Sequence, residues 1–315
     1  MATRSRGSLV RGSGLTALWK FSNPQPMLIS QAIILGIIQG FTEFIPVSST
    51  AHLTLAGRMM GVVKLDAPDG SEDWTAFIAV IQMGTLLAAL AYFMPDIIHI
   101  AAGLVGKNAA VSVKNDTAAS QRDWARLGWL LVAGTLPIGI AGLVFRDRIE
   151  SKLTKHPWVI VWALLGVAAL LAIAEAVGSK AREVSSIGVA DAVWIGISQV
   201  FALVPGASRS GITIATGLLR GLTREGAARF SFLLMLPAVA ASGLFKLPGA
   251  LRSMNVGGAQ IAAGLVAAAI TGYLAIGIML GYLRANTLYP FVVYRVAVGA
   301  LVSWLLISRG QSLRN

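Results

Sequence analysis

Not one of the 315 residues is a cysteine, which excludes disulfides, thiolate catalysis and cysteine-based zinc sites. Charge is scarce as well. Asp, Glu, Lys and Arg make up 13% of the chain, about half of the roughly 25% carried by soluble domains. Acidic residues are the rarest class, 14 against 26 basic ones. The net charge of +12 raises nucleic acid as a partner, but no aromatic-interleaved basic patch accompanies it. Lysines and arginines at the ends of apolar runs, facing anionic headgroups, account for the excess, so membrane lipids are expected as partners and nucleic acid is not.

What the chain has in abundance is hydrophobic residues, 56% of the total, with a mean hydropathy of +0.72. Eight apolar blocks cover roughly residues 27–61, 74–94, 124–145, 158–178, 187–220, 228–250, 257–283 and 290–308. A membrane-spanning helix needs about 20 apolar residues, so the composition predicts an all-α polytopic membrane protein. Residues 27–308 form one membrane domain, followed by a tail at 309–315. Residues 1–26 carry basic but no acidic side chains and lack both an apolar core and a small-residue cleavage site. They read as a basic extension rather than a signal peptide.

The first and fifth blocks are too long for one span and too short for two. Each is interrupted by proline and small polar residues, the pattern of a re-entrant helical hairpin whose loop is sheltered by protein or lines a wet cavity. The two blocks also resemble each other. At an offset of 160, Gly36, Ile37, Gln39, Phe41, Ser48, Gly57 and Gly61 coincide with Gly196, Ile197, Gln199, Phe201, Ser208, Gly217 and Gly221. Each half, about 27–178 and 187–308, is then one hairpin plus three transmembrane helices. Three crossings put the second half upside down relative to the first, an inverted-topology repeat whose hairpin tips meet near the midplane. Basic residues divide evenly between the two sides, and the positive-inside rule selects neither orientation.

The polar residues inside these hairpins are the candidates for chemistry. Glu43 is the one carboxylate deep in an apolar block, and Gln39 shares its helical face one turn earlier. A buried carboxylate costs several kcal/mol or is protonated, and its structural reading is a helix cap or an inter-helix bond. After Pro46, Ser48, Ser49 and Thr50 combine hydroxyls with the free amides of a helix start, which favour anions; as plain caps they would need no ligand. His52 follows, a residue that taken alone reads as a satisfied core histidine. In the second tip, Gly206, Ser208, Ser210 and Thr213 surround Arg209, whose planar donor fork suits phosphate. Its structural reading is a pair with Glu43 across the repeat interface. Arg295 is close enough to a helix end to snorkel. One tip thus offers carboxylate, hydroxyls and imidazole, the other an anion receptor, and a lipid phosphate or diphosphate fits between them.

At "QGFTEFIPVSSTAH" (39–52) and "PGASRSGIT" (205–213) the sequence resembles the undecaprenyl pyrophosphate phosphatase family of the bacitracin-resistance type. "FIAVIQMG" (77–84) and "RFSFLLMLP" (229–237) resemble family segments too. The resemblance covers nearly the whole chain after residue 26. It implies a bacterial inner-membrane enzyme that hydrolyses undecaprenyl diphosphate to undecaprenyl phosphate, the lipid carrier of peptidoglycan synthesis, at a site facing the periplasm or cell exterior. It also implies a divalent cation, Mg2+ or Ca2+. Homodimer formation is a further expectation. Gln39 stands where many members have glutamate, so a metal site at Glu43 and Gln39 would pair a carboxylate with an amide. Ala51 stands where glycine is usual. Ser49 as nucleophile with His52 as base, or water activated by Glu43 or His52, are alternatives the sequence leaves open. So is a polyprenyl-phosphate transporter or flippase, built on the same inverted repeat.

Overall fold

The computed structural model describes residues 27–62, 70–105, 118–145, 157–253 and 256–308. The 1–26 extension and the 309–315 tail lie outside them. Hairpin one is α1 (Ile29–Phe44) and α2 (Ser49–Met59). Then come α3 (Gly70–Tyr92), α4 (Met94–Val105), α5 (Ala118–Val144) and α6 (Pro157–Val177). Hairpin two is α7 (Val189–Gln199), continued by a 3-10 turn at Val200–Leu203, and α8 (Arg209–Leu219). The chain ends in α9 (Arg224–Ser253), α10 (Gly258–Ala285) and α11 (Tyr289–Ile307). No strand occurs among the described residues. Among the described residues, five helices are long and apolar enough to cross a membrane, six if the bent pair α3–α4 is one span. The protein is an all-α polytopic membrane protein.

Residues after 94 read as connector in the sequence; the structure instead turns by 73° into α4. That helix buries Asp96 and Ile100 and packs on α5. At about 1.5 Å per residue, α1 is roughly 24 Å long and α2 and α8 roughly 16 Å each, all short of the ~30 Å hydrocarbon core. None of these three helices is long enough to cross that core alone.

The hairpins enter from opposite ends of α10, which at about 42 Å runs the depth of the bundle. At its start, Gln260 Nε2 donates to the carbonyl of Met27 (3.1 Å), at the foot of hairpin one. At its other end, Arg284 pairs with Glu225 (2.8 Å), beside the foot of hairpin two. That foot is tied by Asp191, which accepts from Arg182 (2.7 Å) and Arg220 (2.8 Å), and by Glu175, which pairs with Arg224. Burial pulls the Asp191 carboxyl upward, but bonds from Arg182, the Gly188 amide and Arg220 outweigh it and hold the carboxyl well below the usual carboxylate range.

The 160-residue correspondence reappears as backbone geometry. Ser48 (φ 80) and Ser208 (φ 69) are both helix N-caps in a left-handed conformation uncommon for any residue but glycine. Their hydroxyls accept from the amides of Ala51 and Gly211 respectively. Gly61 (φ 70) and Gly221 (φ 84) end the paired helices. Gly36 and Gly196 repeat one packing solution: a Cβ on either would lie 2.3 Å from a carbonyl, that of Gly264 on α10 or of Gly134 on α5. With lipid on the outside, close backbone approach of this kind is a main source of helix association.

Candidate active site

The two tips meet. Glu43 is in the last turn of α1, where Pro46 stops the helix, and only 8% of it is exposed. Its Oε1 accepts from Arg209 Nη2 at 3.0 Å and more weakly from Gln82 Nε2 at 3.4 Å. Its Oε2 accepts from Ser49 Oγ at 2.6 Å and from Gln39 Nε2 at 3.2 Å. One carboxylate thus gathers α1, α2, α3 and α8. The 2.6 Å contact is at the short end for a hydroxyl–carboxylate bond, as a charge-assisted bond should be.

His52 faces another way. Its Nδ1 lies 2.7 Å from the carbonyl of Ser48. A carbonyl only accepts, so Nδ1 carries the proton, and Nε2 of the neutral ring is the acceptor. Nε2 is 2.7 Å from the hydroxyl of Tyr294, and the two rings stack at 5.5 Å. Both nitrogens of His52 are engaged away from Ser49, whereas Ser49 donates to Glu43.

Hydroxyls of the second tip have separate tasks. Ser208 caps α8 and is 3.3 Å from Ser210. Thr213 is buried, 2.5 Å from Ser231 on α9, and donates to the carbonyl of Arg209. Gly206 (φ +92) abuts Ile160, which leaves no room for a side chain. Thr50 is half-buried in the first turn of α2. The first amides of α2 and α8, at Ser49, Thr50, Arg209 and Ser210, have no acceptor within their own helices. Two helix N-termini, each favourable to an anion, therefore flank the Glu43–Arg209 pair.

Three further residues belong to this centre. Arg295 does not snorkel: it is fully buried and bonded to backbone carbonyls of both tips. A lone arginine near a helix end carries the same sequence signal in either case. Tyr294 precedes it, is not singled out by the sequence, and bonds to and stacks on His52. Gln82 lies in the 77–84 segment, which was visible as a motif but without a role.

Gln39 Oε1 is buried without a hydrogen-bond partner, beside a carboxylate. Magnesium and calcium take oxygen ligands, and magnesium characteristically uses one or two carboxylates together with substrate phosphates. Glu43 and Gln39 fit that chemistry. Among the described residues no cluster of three or more His, Asp or Glu side chains forms a self-sufficient metal cage.

A family model described as "Bacitracin resistance protein BacA" matches residues 32–301. A protein of Syntrophobacter fumaroxidans named undecaprenyl-diphosphatase is 45% identical over 288 residues, 90% of this chain and 99% of that one. Its namesake in Chlorobium phaeovibrioides is 42% identical over 297 residues, 91% and 100% of the two chains. One from Renibacterium salmoninarum is 40% identical over 283 residues, 88% and 95%. With a match over most of its length and these relatives covered almost end to end, the chain belongs to the bacitracin resistance protein BacA family.

Proposed function

We propose that the protein hydrolyses undecaprenyl diphosphate to undecaprenyl phosphate and inorganic phosphate, and so returns the lipid carrier to cell-wall synthesis and lowers sensitivity to bacitracin. The observation that carries this reading is the meeting of Ser49, Glu43 and Arg209 between two helix N-termini, inside a family whose relatives bear the diphosphatase name. Transport alone needs no nucleophile paired with a base, and the flippase alternative has no observation in its favour. The site belongs to the inner membrane and faces outward, where the spent carrier accumulates.

Arg209 turns from Glu43 to the terminal phosphoryl group, joined by the free amides of α2 and α8, and holds its oxygens as charge shifts during transfer. Glu43, released from Arg209, takes the proton of Ser49, whose oxygen attacks the terminal phosphorus. The bond to the bridging oxygen breaks, Glu43 hands its proton to the departing phosphate oxygen, and undecaprenyl phosphate leaves. Glu43, again a carboxylate, takes a proton from water, whose oxygen attacks the phosphoserine phosphorus; the bond to the Ser49 oxygen breaks, that oxygen takes the proton back from Glu43, and inorganic phosphate is released. In the alternative route the same carboxylate takes a proton from water, whose oxygen attacks the terminal phosphorus directly while Ser49 orients the phosphate; trapping of a phosphoserine separates the two routes. His52 holds the Ser48 carbonyl, and with it the strained turn before Ser49. Glu43 and Gln39 would hold a divalent cation, which when bound neutralises phosphate charge. The copy number in the membrane is open to a homodimer.

Purified protein in detergent, with no sealed bilayer, should release phosphate from a long-chain prenyl diphosphate and do so poorly from water-soluble diphosphates. Chain binding between apolar helices places the head for reaction. Equal turnover of a soluble diphosphate would defeat the lipid-substrate assignment.

A further inference from the structure

Among the described residues, Arg295 is the largest side chain with no exposure at all. It lies in the second turn of α11 and donates hydrogen bonds to five carbonyls. Nε reaches Leu164 (3.1 Å) and Nη2 reaches Ala163 (3.1 Å), both on α6. Nη1 reaches Pro46 (3.2 Å) in the first tip. Nη2 also reaches Gly206 (3.2 Å) and Ala207 (3.3 Å) in the second. Among the described residues it has no carboxylate partner. Burying a cation this way costs several kcal/mol before its bonds offset the loss. Packing α11 on α6 would need only an apolar side chain.

What the guanidinium does that an apolar side chain cannot is hold one loop from each repeat against a single rigid plane. Pro46 precedes Ser49 by three residues, and Ala207 precedes Arg209 by two. The other polar link between the tips, the Glu43–Arg209 pair, has to open when phosphate takes Arg209. Arg295 bonds to backbone rather than to either functional side chain, so it keeps the tips in register while that pair is open. With Glu43 and Arg209 neutralising each other, it also leaves the centre one positive charge in excess. We propose that Arg295 is a positioning residue for phosphoryl transfer, a clamp that fixes the distance from Ser49 and Glu43 on one repeat to Arg209 on the other. The expected effect on rate rests on the diphosphatase reading; the effect on the tips does not.

The test uses full-length protein in detergent, as wild type, Arg295→Lys and Arg295→Gln. Lysine keeps charge and stem but reaches fewer carbonyls. Hydrogen–deuterium exchange is followed in peptides covering the tips (41–52 and 201–213) and the supporting helices (157–177 and 289–307), alongside kcat and KM on a long-chain prenyl diphosphate. In the lysine variant, exchange should rise about tenfold or more in both tips together and change little in 157–177. kcat should fall roughly a hundredfold, the cost of misplacing reacting groups by about 1 Å, with KM within about threefold, since the prenyl chain still binds. The glutamine variant should be worse on both readouts. Loosening confined to 157–177 and 289–307, or normal kcat in the lysine variant, would overturn the assignment. So would failure of both variants to fold while Arg209→Lys folds, because Arg295 would then be a determinant of stability alone. Tips that loosen in a protein with no diphosphatase activity even as wild type would leave the clamp standing and sink the proposed function instead.

Discussion

Replacement of Glu43 by glutamine is the sharpest single perturbation, because the four bonds to its carboxylate predict a small loss of stability and a large loss of rate. Glutamine is isosteric, so Oε1 can still accept from Arg209 and Gln82. The new amide nitrogen then faces Ser49 and Gln39. Ser49 can rotate to accept rather than donate. Gln39 can flip its amide, which turns its unpartnered Oε1 into an acceptor. Four bonds survive, and the flip exchanges a stranded oxygen on Gln39 for a stranded amide nitrogen. The loss is the charge opposite Arg209, whose side chain is 18% exposed, so the penalty should fall below the 3–5 kcal/mol of fully buried pairs, at about 1–2 kcal/mol. For a chain of this size that is a fall in Tm of a few degrees. Activity has no such compensation: an amide cannot take the proton of Ser49. General-base removal costs about 10²–10⁴ in rate, or roughly 3–5 kcal/mol in barrier. The assay is phosphate release under saturating lipid diphosphate, with Tm followed by the fluorescence of the eight tryptophans. Activity within about threefold of wild type, a barrier change of roughly 0.7 kcal/mol, would place Glu43 outside the chemistry. A collapse of Tm alongside activity would make it a structural link.

Three other outcomes follow from described contacts. Arg209→Lys keeps the charge but loses the planar fork, so kcat/KM should drop at least about a hundredfold, on the order of 3 kcal/mol. If Arg209 served only to neutralise Glu43, lysine would suffice, and the Glu43→Gln, Arg209→Gln double variant would recover what each single change lost. Gln39→Glu places a second carboxylate beside Glu43. Its Tm should be low without metal and rise with Mg2+ or Ca2+ more than that of wild type; equal shifts in both would remove Gln39 from the cation site. Asp191 has a depressed pKa in the folded protein, so its contribution to stability is complete above the unfolded value of about 4. That contribution declines as pH falls through the folded value. The Tm advantage of wild type over Asp191→Asn should be constant near neutrality and shrink below about pH 4, whereas an advantage unchanged into strong acid would contradict the charge-paired foot of hairpin two.

The sequence displays Glu43 and Arg209 plainly because hydrocarbon makes any charge in an apolar run conspicuous. The hairpins were legible for the same reason, since proline and clustered serines have no place in an ordinary span. What stayed hidden depended on direction rather than composition. Arg295 and Tyr294 sit in one helix whose sequence does not say which side faces lipid and which faces the tips. Asp96 and His99 punctuate α4 like a connector, but Asp96 is turned inward against Arg229 (2.6 Å). That partner lies 133 residues away and has no local signature. The sequence pairs Ser49 with His52; that Ser49 instead donates to Glu43 depends on ring orientation, which spacing along a helix does not encode.

The clamp at Arg295 bears on how the enzyme comes into being. Its acceptors are carried by residues 46, 163, 164, 206 and 207, all translated before it, because Arg295 belongs to α11, which follows both hairpins and α6 in the chain. Glu43, Ser49 and Arg209 are therefore all made before the residue that clamps them. A nascent or truncated chain lacking α11 would carry the reacting groups without the clamp, and full hydrolytic competence would await insertion of α11.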